Sequence, residues 1–218
     1  MSNPVIVVIG AGPGVGAAVA RRFGKSGYDV AMVARSADKL DDLGTTLQDE
    51  GITTGWAPVD ITDEKGLSEA ITRFGQHAGH IDVLHFNPSA FRQKNPLGLT
   101  PDELLDDIRL GAASLLTAAQ AARPFMFSGA RITATGSMAA DRPWNEAASL
   151  GVQKAALRNL VKSIDTTLAP DGIRAMSLTV KGTLAPATRF SPDLVADALF
   201  TAAARSEDDW QVEVPYNG

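Results

Sequence analysis

Four glycines at alternate positions, Gly10, Gly12, Gly14 and Gly16, separate the apolar run Val5–Ile9 from an amphipathic stretch that begins at residue 14. A chain that turns sharply between a strand and a helix, and then offers free N–H groups to an anion, needs glycine. A Cβ would block both the turn and the approach of a pyrophosphate. The residues Gly10, Gly12, Pro13, Gly14, Val15 and Gly16 are therefore expected to hold the phosphates of a dinucleotide, against the alternative of a plain tight turn. Other reactive groups are few. The sequence has no cysteine, which excludes disulfides, thiolate metal ligands and cysteine nucleophiles. His77, His80 and His85 do not make a convincing ligand set, so no metal is expected. His85 lies in an apolar run and reads as a satisfied core or strand-end side chain rather than a general acid.

A phosphate loop needs a sheet to carry it, and the chain supplies one. Short β-branched runs at 5–9, 29–33, 53–59, 81–86, 130–135, 173–179 and 211–214 alternate with amphipathic stretches at 14–25, 38–50, 64–77, 101–122, 147–168 and 192–204. A parallel sheet with crossover helices requires this alternation. The expected fold is α/β, a single domain over 1–218 with a Rossmann-like, doubly wound, seven-stranded parallel sheet and helices on both faces. In the stretch 147–168, Val152, Ala156, Leu157, Leu160, Val161, Ile164 and Leu168 recur at steps of three and four and form one stripe. The preceding helix ends in LLTAAQAA, whose small side chains allow close approach. These faces read as packing on the sheet, as a helix-pair dimer contact, or as both.

Composition narrows the partners. With 44% apolar residues, 218 residues are enough to bury one large core. Twenty basic against 25 acidic residues give a net charge of −5, a field that repels polyanions, so nucleic acid and anionic membrane are not expected. The run 5–9 is too short to span a bilayer and lacks a basic flank. A soluble, cytoplasmic protein is expected.

The spacing Gly10, Gly14, Gly16 resembles the Thr-Gly-x-x-x-Gly-x-Gly of the short-chain dehydrogenases/reductases, with Ile9 in the threonine's place. The resemblance continues along nearly the whole chain. Asp60 and Ile61 look like the pair that lines the adenine pocket. IDVLHFNPSA resembles the family's Asn-Asn-Ala-Gly strand end, of which only Asn87 is kept. RITATGSMAA resembles the strand that delivers the active-site serine, here Ser137, and GIRAMSLTVKG the strand ending in Pro-Gly, with Val180 and Lys181 in those two places. Thr183 would then help to hold the nicotinamide carboxamide. Cofactor preference follows from AMVARSADKL, because an acid at the end of the second strand would bond a ribose 2′-hydroxyl and repel a 2′-phosphate. Ala34 and Arg35 stand there instead, and a guanidinium suits a 2′-phosphate. NADP(H) is thus preferred, with NAD(H) possible since Asp38 is close; the bland alternative is a solvated arginine at a strand end.

In that family a tyrosine hydroxyl gives its proton to the carbonyl as hydride leaves the nicotinamide, and a lysine four residues on lowers the tyrosine's pKa and holds the ribose. Lys154 matches the lysine, but Leu150 stands in the tyrosine's place, 13 residues after Ser137 as the pattern leads one to expect. A supporting asparagine falls on Arg109, whose charge near Lys154 would favour an anion or depress the lysine. Neither Tyr28 nor Tyr216 is placed to substitute. Only about ten residues separate Lys181 from the helix at 192, so a short lid is expected. Trp144, in ADRPWNEAAS, floors a substrate pocket or simply packs. The resemblance implies an NADP(H)-dependent oxidoreductase of atypical or weak catalysis on a carbonyl or alcohol, with Ser137, Lys154 or an ordered water giving the proton. The alternative is a catalytically inactive dinucleotide-binding homologue, a sensor or partner-stabilising protein. An isomerase or lyase on the same fold is a third reading. The resemblance also implies a homodimer or homotetramer and a small-molecule substrate as partners.

Overall fold

The computed structural model describes residues 2–218. Its strands are β1 (Val5–Ile9), β2 (Asp29–Ala34), β3 (Thr54–Pro58), β4 (Val83–Phe86), β5 (Arg131–Ser137), β6 (Arg174–Val180) and β7 (Glu213–Tyr216). All pair in parallel, in the order β3-β2-β1-β4-β5-β6-β7. The helices are α1 (Val15–Gly24), α2 (Ala37–Asp49), α3 (Glu64–Ala78), α4 (Pro101–Ile108), α5 (Ser114–Ala122), α6 (Ala148–Leu168) and α7 (Pro192–Ala203). Side chains alternate across a strand, so the buried run of β1 serves two cores. Val7 and Ile9 join Leu67, Ile71, Leu115, Leu157 and Val161 on the face of α3, α5 and α6. Ile6 and Val8 join Val19, Phe23, Leu40, Leu47 and Leu199 on the face of α1, α2 and α7. The doubly wound architecture expected from the sequence is the one found.

Element boundaries differ from the sequence reading by one or two residues in several places, and three of the differences have a plain local reason. The stretch 101–122 is two helices joined by one wide, π-helical turn at Arg109–Ala113. There the Ser114 hydroxyl donates to the Arg109 carbonyl at 2.8 Å. The run 81–86 pairs as strand only from Val83, because Ile81 donates its N–H to Phe125 O instead of to a neighbouring strand. β7 lies two residues beyond the stretch 211–214 and runs through Pro215. Proline lacks the N–H that a central strand needs, but β7 is an edge strand, where it is tolerated.

Candidate functional site

The strand order reverses between β1 and β4, whose following helices cover opposite faces, so a crevice opens beyond the carboxyl ends of the strands. The cleft there has a volume of about 900 Å³. At its β1 end Gly10 adopts φ +82°, a left-handed conformation that glycine allows. Gly10 and Ala11 donate their N–H groups to Val33 O at 2.8 and 3.2 Å, tying the loop to β2. A Cβ on Gly16 would stand 2.3 Å from the Gly10 carbonyl, so this glycine lets α1 close onto the strand. A Cβ on Gly12 or Gly14 would meet nothing within 4 Å, which leaves open space over the loop. No side chain caps α1. Among the described residues, no acceptor takes up the N–H groups of Gly14, Val15 or Gly16. Free donors and the positive end of a helix therefore face open space.

A chain of polar side chains runs from the middle of the sheet to this loop. Asn87 donates to Gly10 O at 3.1 Å, and Thr135 donates to Asn87 Oδ1 at 2.9 Å. With its proton so used, the Thr135 oxygen accepts from His85 Nε2, 3.4 Å away. His85 Nδ1 is then bare and accepts from the Thr133 hydroxyl at 2.9 Å. Burial holds the imidazole neutral, its pKa lowered to about 3, with Lys154 adding repulsion. His85 is thus a satisfied core residue that orients Asn87.

Lys154 comes to the cleft floor from α6. Its Nζ donates to Pro88 O at 3.1 Å and to Thr135 O at 3.0 Å. Burial lowers its pKa to about 8. Either protonation state keeps both hydrogen bonds, because a neutral amine still has two N–H groups. The third proton of the ammonium is the one free to leave. Ser137, at the end of β5, lines the same wall, its Oγ accepting from Ala139 N at 3.2 Å. Leu150 lies one helical turn before Lys154 and also lines the cleft.

Of the residues expected to bind or react, Gly10, Gly12, Val15, Arg35, Ile61, Asn87, Ser137, Lys154 and Thr183 line the cleft. Pro13 and Gly14 sit at the exposed loop tip, and Gly16 is buried behind it. Asp60 lies outside the wall, its carboxylate accepting from Thr62 N and Oγ1, which holds its pKa down. The expectation that Arg109 stands beside Lys154 is corrected. Its side chain is exposed and pairs with Asp106, while Leu110 is the residue that enters the cleft. Tyr216 donates to Arg189 O, and Tyr28 lies in a separate small cavity with Pro4 and Asp82, at the opposite end of the strands.

The sequence reading missed Leu110, Phe91, Arg142 and Leu184, which line the cleft from three loops and the wide turn. No spacing marks such residues, since loops have no period. It also missed Gln153, whose amide is buried and bonds both Ala90 N and Ala90 O, at 2.9 and 3.0 Å. Among the described residues, the cleft wall carries three cations, Arg35, Lys154 and Arg142, and no carboxylate. In a chain of net charge −5 this makes a local basin for anions. Among the described residues there is no group of three His, Asp or Glu side chains that could hold a metal, and no helix long and apolar enough to cross a membrane.

Comparison with known proteins follows the same line. A family model described as short chain dehydrogenase matches residues 4–193. Cis-4-hydroxycyclohexanecarboxylate dehydrogenase of Sinomonas cyclohexanicum is 30% identical over 208 residues, 92% of this chain and 80% of that protein. Dehydrogenase/reductase SDR family member 4 of Bos taurus is 26% identical over 181 residues; the match covers 82% of this chain but only 65% of the bovine protein's length. Among solved structures, a metagenomic short-chain oxidoreductase in complex with NADP superposes with a TM-score of 0.87 at 23% identity, over 99% of this chain and 97% of that one. A short chain dehydrogenase of Mycobacterium smegmatis gives 0.90 at 22% identity, over 100% and 92%.

Proposed function

The chain belongs to the short-chain dehydrogenase family, and from that premise we propose that it is an NADP(H)-dependent oxidoreductase of slow turnover, in which Lys154 supplies the proton that the family's tyrosine normally gives. The observation that carries this reading is a buried lysine of pKa about 8, with one N–H uncommitted, in the cleft that the glycine loop opens onto.

The residues present fit a dinucleotide. Gly14, Val15 and Gly16 would meet its phosphates with unpaired N–H groups over a loop whose glycines leave room. Arg35 would take a 2′-phosphate at the β2 end, Ile61 and Asn87 the adenosine side, and Thr183 and Lys154 the nicotinamide side. Bound there, the nicotinamide gives or takes a hydride. The protein handles the proton. Lys154 Nζ, held by Pro88 O and Thr135 O, releases its third proton toward a carbonyl oxygen in the cleft and regains one from solvent. Ser137, on the same wall, orients that oxygen by donating its hydroxyl proton into a hydrogen bond. Leu150 and Leu110 exclude water beside the lysine without offering a proton.

The test combines binding and turnover. Fluorescence titration should show NADPH binding more tightly than NADH. A carbonyl and alcohol panel that includes cis-4-hydroxycyclohexanecarboxylate should give slow turnover, lost in Lys154→Ala. A general acid contributes about 100-fold to 10,000-fold in rate, so Leu150→Tyr should raise turnover within that range.

A second reading has one observation in its favour: two leucines, Leu110 and Leu150, flank Lys154. On that reading the protein binds the dinucleotide and does no hydride chemistry. Cofactor would then raise the thermal midpoint while only the Leu150→Tyr variant turned over any substrate. Assembly as a homodimer or homotetramer would run through α4, α5 and α6, whose Leu105, Leu116 and Val152 are exposed. Light scattering that gives the mass of a single chain at micromolar concentration would end that part.

A further inference from the structure

Three large apolar side chains that line the cleft are left in water: Phe91 at 63%, Trp144 at 45% and Leu184 at 46% exposure. The rings of Phe91 and Trp144 lie 6.0 Å apart between centroids, tilted by 38°, so they form one continuous apolar face. Neither sits on a slack loop. Gln153 bonds both backbone groups of Ala90, immediately before Phe91. Arg92, immediately after it, pairs with Asp107 and Glu103, and Lys94 pairs with Glu103 at 2.6 Å. The Lys94 carbonyl also accepts from Ala148 N at 3.1 Å, which joins this loop to the start of α6. On the Trp144 side, Arg158 grips both oxygens of Asp141.

That grip matters for the next residue. Asp141, the obvious partner for Arg142, is already engaged. Among the described residues, the Arg142 guanidinium has neither an ion pair nor a hydrogen bond, yet it lines the cleft beside Trp144. No carboxylate faces it across the wall. Met138, Leu110 and Leu150 add apolar side chains to the lining of the same cleft. A held aromatic face, an otherwise apolar lining and one free guanidinium together describe the complement of a particular ligand.

We propose that the outer half of the cleft selects a molecule with an aromatic or alicyclic ring and a carboxylate, the ring against Phe91 and Trp144 and the carboxylate on Arg142. This rests on the reading of the cleft as a dinucleotide-dependent site and names its substrate class. One guanidinium matches one carboxylate through two parallel N–H···O bonds. A phosphate dianion would call for a second cation, and on the reading above the other two have separate tasks, Arg35 toward the cofactor's 2′-phosphate and the one uncommitted N–H of Lys154 toward the reacting oxygen. Pinned loops also reduce the ordering cost that a mobile lid would add to binding.

The experiment titrates 2-naphthoate and 2-naphthamide into the full chain by calorimetry, with and without saturating NADP⁺, following tryptophan emission in parallel. The expected result is naphthoate binding at least about ten-fold tighter than the amide, since a charge-assisted pair replaces a neutral one. Arg142→Gln should bring the two affinities together. Trp144→Ala should weaken both alike and remove the emission change. Equal affinities in the wild type, no binding of either probe, or a ratio that survives Arg142→Gln overturns the proposal. Absence of heat on adding NADP⁺ speaks against the dinucleotide reading instead, and the titrations without cofactor judge the ring-and-carboxylate site by the same ratio.

Discussion

At the scale of the residue, Lys154 decides the chemistry and its pH dependence. Its pKa is lowered to about 8 by burial. Reduction of a carbonyl needs the ammonium, so the reductive rate should be flat below that pH and fall as pH rises through it. The oxidative direction, which needs the free amine, should rise over the same interval. A reductive pH profile that shows no inflection between about 7 and 9 counts against the lysine as proton donor. Arg35 decides cofactor choice. Removing a charged hydrogen-bonding partner costs about 1.5–3 kcal/mol. Arg35→Ala should therefore weaken NADPH by roughly 10-fold to 100-fold and leave NADH nearly unchanged in the same fluorescence titration. The glycines and Lys154 were legible because they act through backbone geometry or a fixed helical register. Arg109 was not. Its place was carried over from the family's asparagine along the sequence, which does not show the wide turn at Arg109–Ala113, and in that turn Leu110 is the residue that lines the cleft.

At the scale of the element, that wide turn, α6 and the loop after β4 are one unit. A Cβ on Gly111 would stand 2.1 Å from Gln153 Oε1, and Gln153 in turn holds Ala90. Alanine is favoured over glycine in a helix by about 1 kcal/mol. Here overpacking, at about 1–3 kcal/mol, and two buried hydrogen bonds at about 1 kcal/mol each oppose that gain. Gly111→Ala should thus destabilise the protein by roughly 2–4 kcal/mol in urea. It should also speed amide exchange at Ala90, a local effect that a general loss of stability would not confine to this loop. At the other end of the sequence, the alternating stretch Gln211–Val214 suggested a strand ending before Pro215, and pairing with β6 carried it on to Tyr216. Strand existence follows from side-chain pattern; strand limits follow from which neighbour offers hydrogen bonds.

At the scale of the whole molecule, the sheet stores a cost that appears in acid. His85 is fully buried and its pKa is lowered to about 3, against 6.5 for a free imidazole. Its folded-state pKa is depressed, so below pH 6.5 the unfolded chain takes up a proton that the folded chain refuses, and stability falls as pH falls. Between pH 6.5 and 5, above the range where carboxylates titrate, the loss should approach about 2 kcal/mol. Urea midpoints at the two pH values should show it, and His85→Asn should flatten the slope in that window; an unchanged slope would mean the imidazole is not the source. What the sequence alone determined is the order of strands and helices, the doubly wound sheet and the loop at its mouth. Those follow from hydrophobic period and from glycine's backbone freedom, which act over a few residues. Tertiary structure alone decided that His85, Thr135 and Asn87 form one chain to Gly10, that Leu110 displaces Arg109 from the cleft, and that Phe91, Trp144 and Arg142 share a rim. Such residues lie far apart in sequence and obey no period; only strand order and loop packing bring them within contact.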